Sequence, residues 1–125
     1  FNKKLKHNLF HTMNTAKYKL STDDLDKTVN YLIEFLPFDY ENHSRDMSVL
    51  ASEAYYMRNG STQLNMIITK REAAYLLVDV MGSAGGRGPQ NWDWGSEKSY
   101  LKKVKKVLDE YAKEFSLTLE ELTAS

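Results

Sequence analysis

The residues whose types and spacing best suit chemistry gather in MGSAGGRGPQNWDWGSEK, Met81 to Lys98, which holds five of the chain's six glycines, one of its two prolines and both tryptophans. A phosphate cradle needs glycines that let backbone N–H groups approach the anion, with a helix N-terminus aimed at the same point. GSAGGRG has the glycines, but it follows an expected helix end and lacks a Gly-Lys-Ser/Thr close, and its spacing does not fit Gly-x-Gly-x-x-Gly before a helix. A partner-gripping loop fits better. Arg87 offers a planar charged fork, and Trp92 and Trp94 offer large amphipathic surface, the side-chain types that dominate binding hot spots. In an extended stretch, the alternation of NWDW points both rings the same way. The competing account folds one or both tryptophans back into the core.

Two other groups of residues carry weaker chemistry. His7 and His11 stand four apart, a spacing for two metal ligands on one helix face, with His43 as a third ligand if the fold brought it there. Zinc protease motifs place Glu after the first histidine, where this chain has Asn8, so solvent-exposed histidines are preferred and no metal or cofactor is expected. With no cysteine there is no thiolate nucleophile, disulfide framework or cysteine zinc site. No Gly-x-Ser-x-Gly elbow and no singled-out carboxylate pair appears, so no catalytic residue is assigned and an enzyme is not expected. Lys98, Lys102, Lys103, Lys105, Lys106 and Lys113 flank one helical stripe and, with Lys3, Lys4 and Lys6, could meet phosphates. Asp109, Glu110 and Glu114 share that helix, which favours a solvated face over a nucleic-acid site.

The elements that position these groups follow from periodicity. Phe1, Leu5, Leu9, Met13 and Ala16 predict a first helix, and Ala16, Tyr18 and Leu20 alternate with Lys17 and Lys19 as a short edge strand. STDDLDKTVNYLIEFLP predicts a helix near 22–36, capped by Ser21 or Thr22 and ended by Pro37, with FDYENHSRD as loop after it. Asn59-Gly60 predicts a type I′ hairpin pairing Arg58 with Ser61. That hairpin sets Tyr55, Met57, Thr62, Leu64, Met66 and Ile68 on a mostly apolar face, with Ala54, Tyr56, Arg58, Ser61, Gln63 and Asn65 on a mostly polar one. A helix over 46–58 is the rival reading. Thr69-x-x-Glu72 reads as a capping box starting a helix near 70–81. Leu101, Val104, Leu108, Tyr111 and Phe115 predict a long helix near 97–115, facing the core or a second copy of the chain.

These elements add up to a single α+β domain over 1–125: a short antiparallel sheet built on the Asn59-Gly60 hairpin, packed against three to four helices, with an all-α bundle as the alternative. A flexible glycine-rich loop is expected at 82–96 and a frayed end at 117–125, and residues are expected to precede Phe1. Seventeen basic and seventeen acidic side chains balance, which excludes a strongly acidic DNA mimic and a strongly basic nonspecific DNA binder. The signs are segregated, with five Lys and no acid before residue 21. No apolar run reaches the ~20 residues that span a bilayer, so no membrane contact and a cytoplasmic location are expected. The leading functional reading is a non-catalytic binding or regulatory protein, such as an inhibitor or accessory protein of a phage or mobile element. It would dock on a larger protein through Arg87, Trp92 and Trp94, as monomer or homodimer. The alternative is nucleic-acid binding through the lysine-rich helix faces.

Overall fold

A computed structural model describes residues 13–56, 61–84 and 96–124. The chain runs β1 (Met13–Leu20), α1 (Leu25–Phe35), β2 (Tyr40–His43), β3 (Met47–Tyr56), β4 (Ser61–Arg71), β5 (Leu76–Ala84), α2 (Ser96–Glu114) and β6 (Leu119–Ala124). All six strands join one antiparallel sheet in the order β2-β3-β4-β5-β1-β6. The structure is therefore mostly β. This corrects the expected α+β domain with a short sheet under three to four helices, and it excludes the all-α bundle, because the segment that would make the bundle's extra helix is β3.

The largest correction lies at residues 70–81. The Thr69-x-x-Glu72 pattern does not start a helix: Thr69 belongs to β4, and the Glu72 N–H donates to the Tyr75 carbonyl at 2.8 Å to close a tight turn into β5. Period two wins over period 3.6 here. Leu76, Val78 and Val80 are fully buried, while Leu77, Asp79 and Met81 between them face the other way. A strand hydrogen-bonded on both sides, to β4 and β1, satisfies every peptide group through the ladder, which outweighs a local capping signal.

Three smaller corrections share one cause, the pairing of segments distant in sequence. β1 is central instead of an edge, since Leu20 pairs with Leu76 on one side and Leu119 on the other. It begins at Met13, so Met13 and Ala16 are strand residues and not part of a first helix, whose residues 1–12 lie outside the described ones. Residues expected to fray at the C-terminal end form β6. Ser21, expected as a helix cap, instead ties that strand down: its Oγ accepts from Thr118 N–H at 2.8 Å and its own N–H donates to the Thr118 carbonyl at 3.1 Å. The stretch expected as loop after Pro37 contributes the edge strand β2.

The hairpin of β3 and β4 forms, with Tyr56 opposite Ser61. Its register is two residues away from the expected pairing, and an even shift keeps every side chain on its own face. Asn59 and Gly60 lie outside the described residues.

Both helices lie on one face of the sheet. Asp24 caps α1 by accepting from Lys27 N–H at 3.1 Å, and Leu25, Val29 and Leu32 turn the apolar stripe inward. α2 ends in a Schellman turn: Ser116 adopts φ 55° and Leu117 N–H reaches the Ala112 carbonyl at 2.8 Å. Val104, Leu108 and Tyr111 of α2 are buried, so its stripe faces the core of its own chain. The two helices meet through a buried hydrogen bond between Thr28 Oγ1 and the Tyr111 hydroxyl at 2.8 Å, with Tyr31 tilted over Tyr111 at 4.8 Å between centroids. Each fully buried Leu or Val of this layer stabilises by about 1.5–3 kcal/mol. Among the described residues no helix is long and apolar enough to cross a membrane.

Candidate functional site

The sheet places chemistry in three regions, and the first is its uncovered face. Alternation along β4 sends Gln63, Asn65, Ile67 and Thr69 under the helices, where all four are buried, and leaves Leu64, Met66, Ile68 and Lys70 on the open side. The mostly apolar face of the hairpin is thus the one turned away from the helices. Cross-strand register assembles it into rows. Tyr40, Ala51, Met66 and Met81 stand side by side, as do Val49 and Ile68 next to Asp79 and Lys17. Leu64 is 48% exposed, Tyr40 53% and Met47 40%, large values for apolar side chains on a sheet face. Charges bound the patch: Lys17 pairs with Asp79 at 3.4 Å, and Lys19 sits 4.4 Å from the centroid of the Tyr75 ring.

The second region is a cleft of about 280 Å³ between α1 and the β2–β3 turn, lined by Leu25, Asp26, Val29, Asn30, His43, Ser44 and Ser48. Here three side chains form a chain of hydrogen bonds. Ser48 Oγ lies 2.9 Å from His43 Nδ1, and His43 Nε2 lies 3.1 Å from Glu41 Oε1. The strand geometry explains it: Glu41 and His43 are two apart on β2 and share a face, and His43 is the cross-strand partner of Ser48. Ser48 in turn stands opposite Thr69, whose Oγ1 is buried with no hydrogen-bond partner. Arg71 frames the cleft by donating to the Asp23 carbonyl at 3.1 Å and the Arg45 carbonyl at 3.0 Å, joining the entry of α1 to the β2–β3 turn.

The third region is a buried polar cluster at the far end of the covered face. Gln63 Nε2 donates to Asn65 Oδ1, and Asn65 is the cross-strand partner of Ser52. Tyr100, at the start of α2, buries its hydroxyl without hydrogen-bond geometry. Burial raises its pKa, with the nearby Ser52 hydroxyl opposing the shift. Gln63 pairs with Ala84, the last residue of β5, so the cluster lies at the end of the sheet from which the chain departs toward α2.

The residues singled out in the sequence are placed unevenly. Arg87, Trp92 and Trp94 fall outside the described residues, as do Lys3, Lys4, Lys6, His7 and His11. Lys98 belongs to α2. Lys102 and Lys106 are exposed on α2, whereas Lys105 is half-buried and held to Asp109 at 3.2 Å, so acids interleave the lysine face. Among the described residues no three His, Asp or Glu side chains converge as metal ligands. Sequence reasoning missed Glu41 and Ser48 altogether. The signal is Glu-x-His on a strand that starts just after Pro37 and Phe38, but with the stretch read as loop, alternation carries no information about faces.

No curated protein matches the sequence. The profile described as "Family of unknown function (DUF6054)" matches residues 9–112, from before β1 to near the end of α2. That span covers most of the chain, and the protein belongs to this family of unknown function.

Proposed function

We propose that this protein is a binding module that docks a protein partner on the open face of its sheet. One observation carries the reading: on β4 the polar residues Gln63, Asn65 and Thr69 are buried under the helices while Leu64, Met66 and Ile68 face outward. Burying polar groups while exposing larger apolar ones runs against the transfer free energies, so the pattern makes physical sense when a partner covers the outer face. The anatomy supports it. An apolar centre containing Met66 and Met81 is bounded by Lys17, Lys70 and Glu53, as in interfaces with a desolvated core and a charged rim. Methionine suits such a surface because it repacks easily around different partners. Arg87, Trp92 and Trp94 remain part of the proposal as candidate additional anchors.

A photo-crosslinking amino acid at position 64 tests it, with the same group at position 106 on α2 as control. Expected is a discrete protein adduct from position 64 in native cells, not from 106, and lost when Ile68→Lys is added to a variant that keeps its fold. Light scattering of the purified protein then separates self-association from a different partner. Equal adducts from both positions, or an adduct indifferent to Ile68→Lys, overturns the reading.

A further inference from the structure

On the covered side of the sheet, away from the docking face, the geometry points to a second site: we propose that Glu41, His43 and Ser48 form a nucleophilic relay that cleaves small, uncharged carboxylic esters in the α1–β2–β3 cleft.

In the neutral imidazole the two contacts select one tautomer. Glu41 Oε1, 3.1 Å from His43 Nε2, accepts from that nitrogen, so the neutral ring carries its proton on Nε2 and leaves Nδ1 free to accept. Ser48 Oγ, 2.9 Å from Nδ1, is then the donor on the other side. These are the roles of a hydroxyl nucleophile, a base and an orienting carboxylate, with the two ring nitrogens exchanged relative to the usual serine hydrolase order. Ser48 lines the cleft but is only 1% exposed, cleft included, so attack requires the cleft walls to part until an acyl carbon reaches Oγ.

The first turn of α1, Leu25 and Asp26, forms one wall, which brings the positive end of a helix dipole to the cleft, and the Asp24 cap is spent on Lys27 N–H. Asn30 lines the same wall. The Asp26 carboxylate in the lining disfavours anionic substrates. The volume, about 280 Å³, lies at the small end of ligand sites and admits a short acyl group.

Ser48 Oγ bonds to the acyl carbon as its proton passes to His43 Nδ1; the ester C–O bond breaks, and the departing alkoxide takes that proton to leave as the alcohol. Water then attacks the acyl-serine with His43 accepting its proton, and the carboxylic acid departs as the proton returns to Ser48 Oγ. Glu41 touches no reacting atom and is a positioning residue.

Labelling of the wild-type protein with a fluorophosphonate probe, followed by peptide mass mapping, tests the site without relying on any variant. Expected is one phosphonyl group on Ser48 and steady hydrolysis of p-nitrophenyl acetate. His43→Asn slows labelling by about 10²-fold or more. Glu41→Gln slows it with the concentration dependence on the probe unchanged, and Glu41→Asp restores part of the rate, a pattern that loss of hairpin structure would not give. An unlabelled Ser48 in folded protein, labelling elsewhere, or a His43→Asn variant labelled at the wild-type rate overturns the proposal and leaves the three side chains as fasteners of the β2–β3 hairpin.

Discussion

The two faces of the sheet use the same strands for opposite purposes. On the covered face, Tyr18, Leu50, Ile67 and Val80 are almost wholly buried under α1 and α2, and the polar residues among them sit toward the β3–β4 side. One position further along the same strands, Lys17, Val49, Ile68 and Met81 form a face with no element packed over it among the described residues. Apolarity alone therefore does not identify the inside of this sheet. Which face is covered depends on where the connections before β2 and after β5 place their helices.

The adjacent residues Ile67 and Ile68 separate the two faces. Ile67→Ala, fully buried, should lower stability by about 2–5 kcal/mol in urea unfolding, whereas Ile68→Ala should cost well under half as much. Equal losses would mean that the open face is covered in the isolated protein as well.

Alkaline pH probes the covered face from another side. Burial first, then the charges of Glu121 and Asp109, push Tyr18 up to about 12, and burial raises Tyr111 in the same direction. The unfolded chain releases these phenolic protons near pH 10, so the stabilising difference is complete below that pH and is lost as pH rises toward 12. Tyrosinate absorbance should therefore lag for these side chains and appear together with unfolding. An early, non-cooperative appearance for every tyrosine would contradict their burial.

The helix layer itself rests partly on the Thr28–Tyr111 hydrogen bond. Thr28→Val or Tyr111→Phe alone should cost about 1–3 kcal/mol by stranding a buried hydroxyl, and the double variant should cost less than the sum. Additive losses would remove the coupling between α1 and α2 that the contact implies. The smallest effect belongs to the open face: Lys17→Ala, which breaks the 3.4 Å pair with Asp79, should change stability by no more than about 1 kcal/mol and less in high salt. A larger loss would show that this rim carries part of the fold.

Elements with strong internal signals are legible in the chain alone. The presence and end of α1 follow from the Leu25–Val29–Leu32 stripe and a stop at Pro37, although it starts at Leu25 under an Asp24 cap and not at the expected Ser21 or Thr22, and α2 follows from the steps between Leu101 and Phe115. The face partition of the β3–β4 hairpin was legible too, because side-chain alternation survives an error of two in register. Tertiary structure alone decided the rest. Thr69-x-x-Glu72 is a valid helix start until β5 finds β4 and β1 on either side, and Leu119–Ala124 is an unremarkable tail until Ser21 and β1 supply its partners. The relay through Glu41, His43 and Ser48 exists only because β2 pairs with β3, and the outward turn of Leu64, Met66 and Ile68 only because both helices settle on the other side. Helices draw their hydrogen bonds from residues four apart and so declare themselves locally. A sheet draws its bonds from segments tens of residues away, and its inside is chosen by whatever comes to cover it.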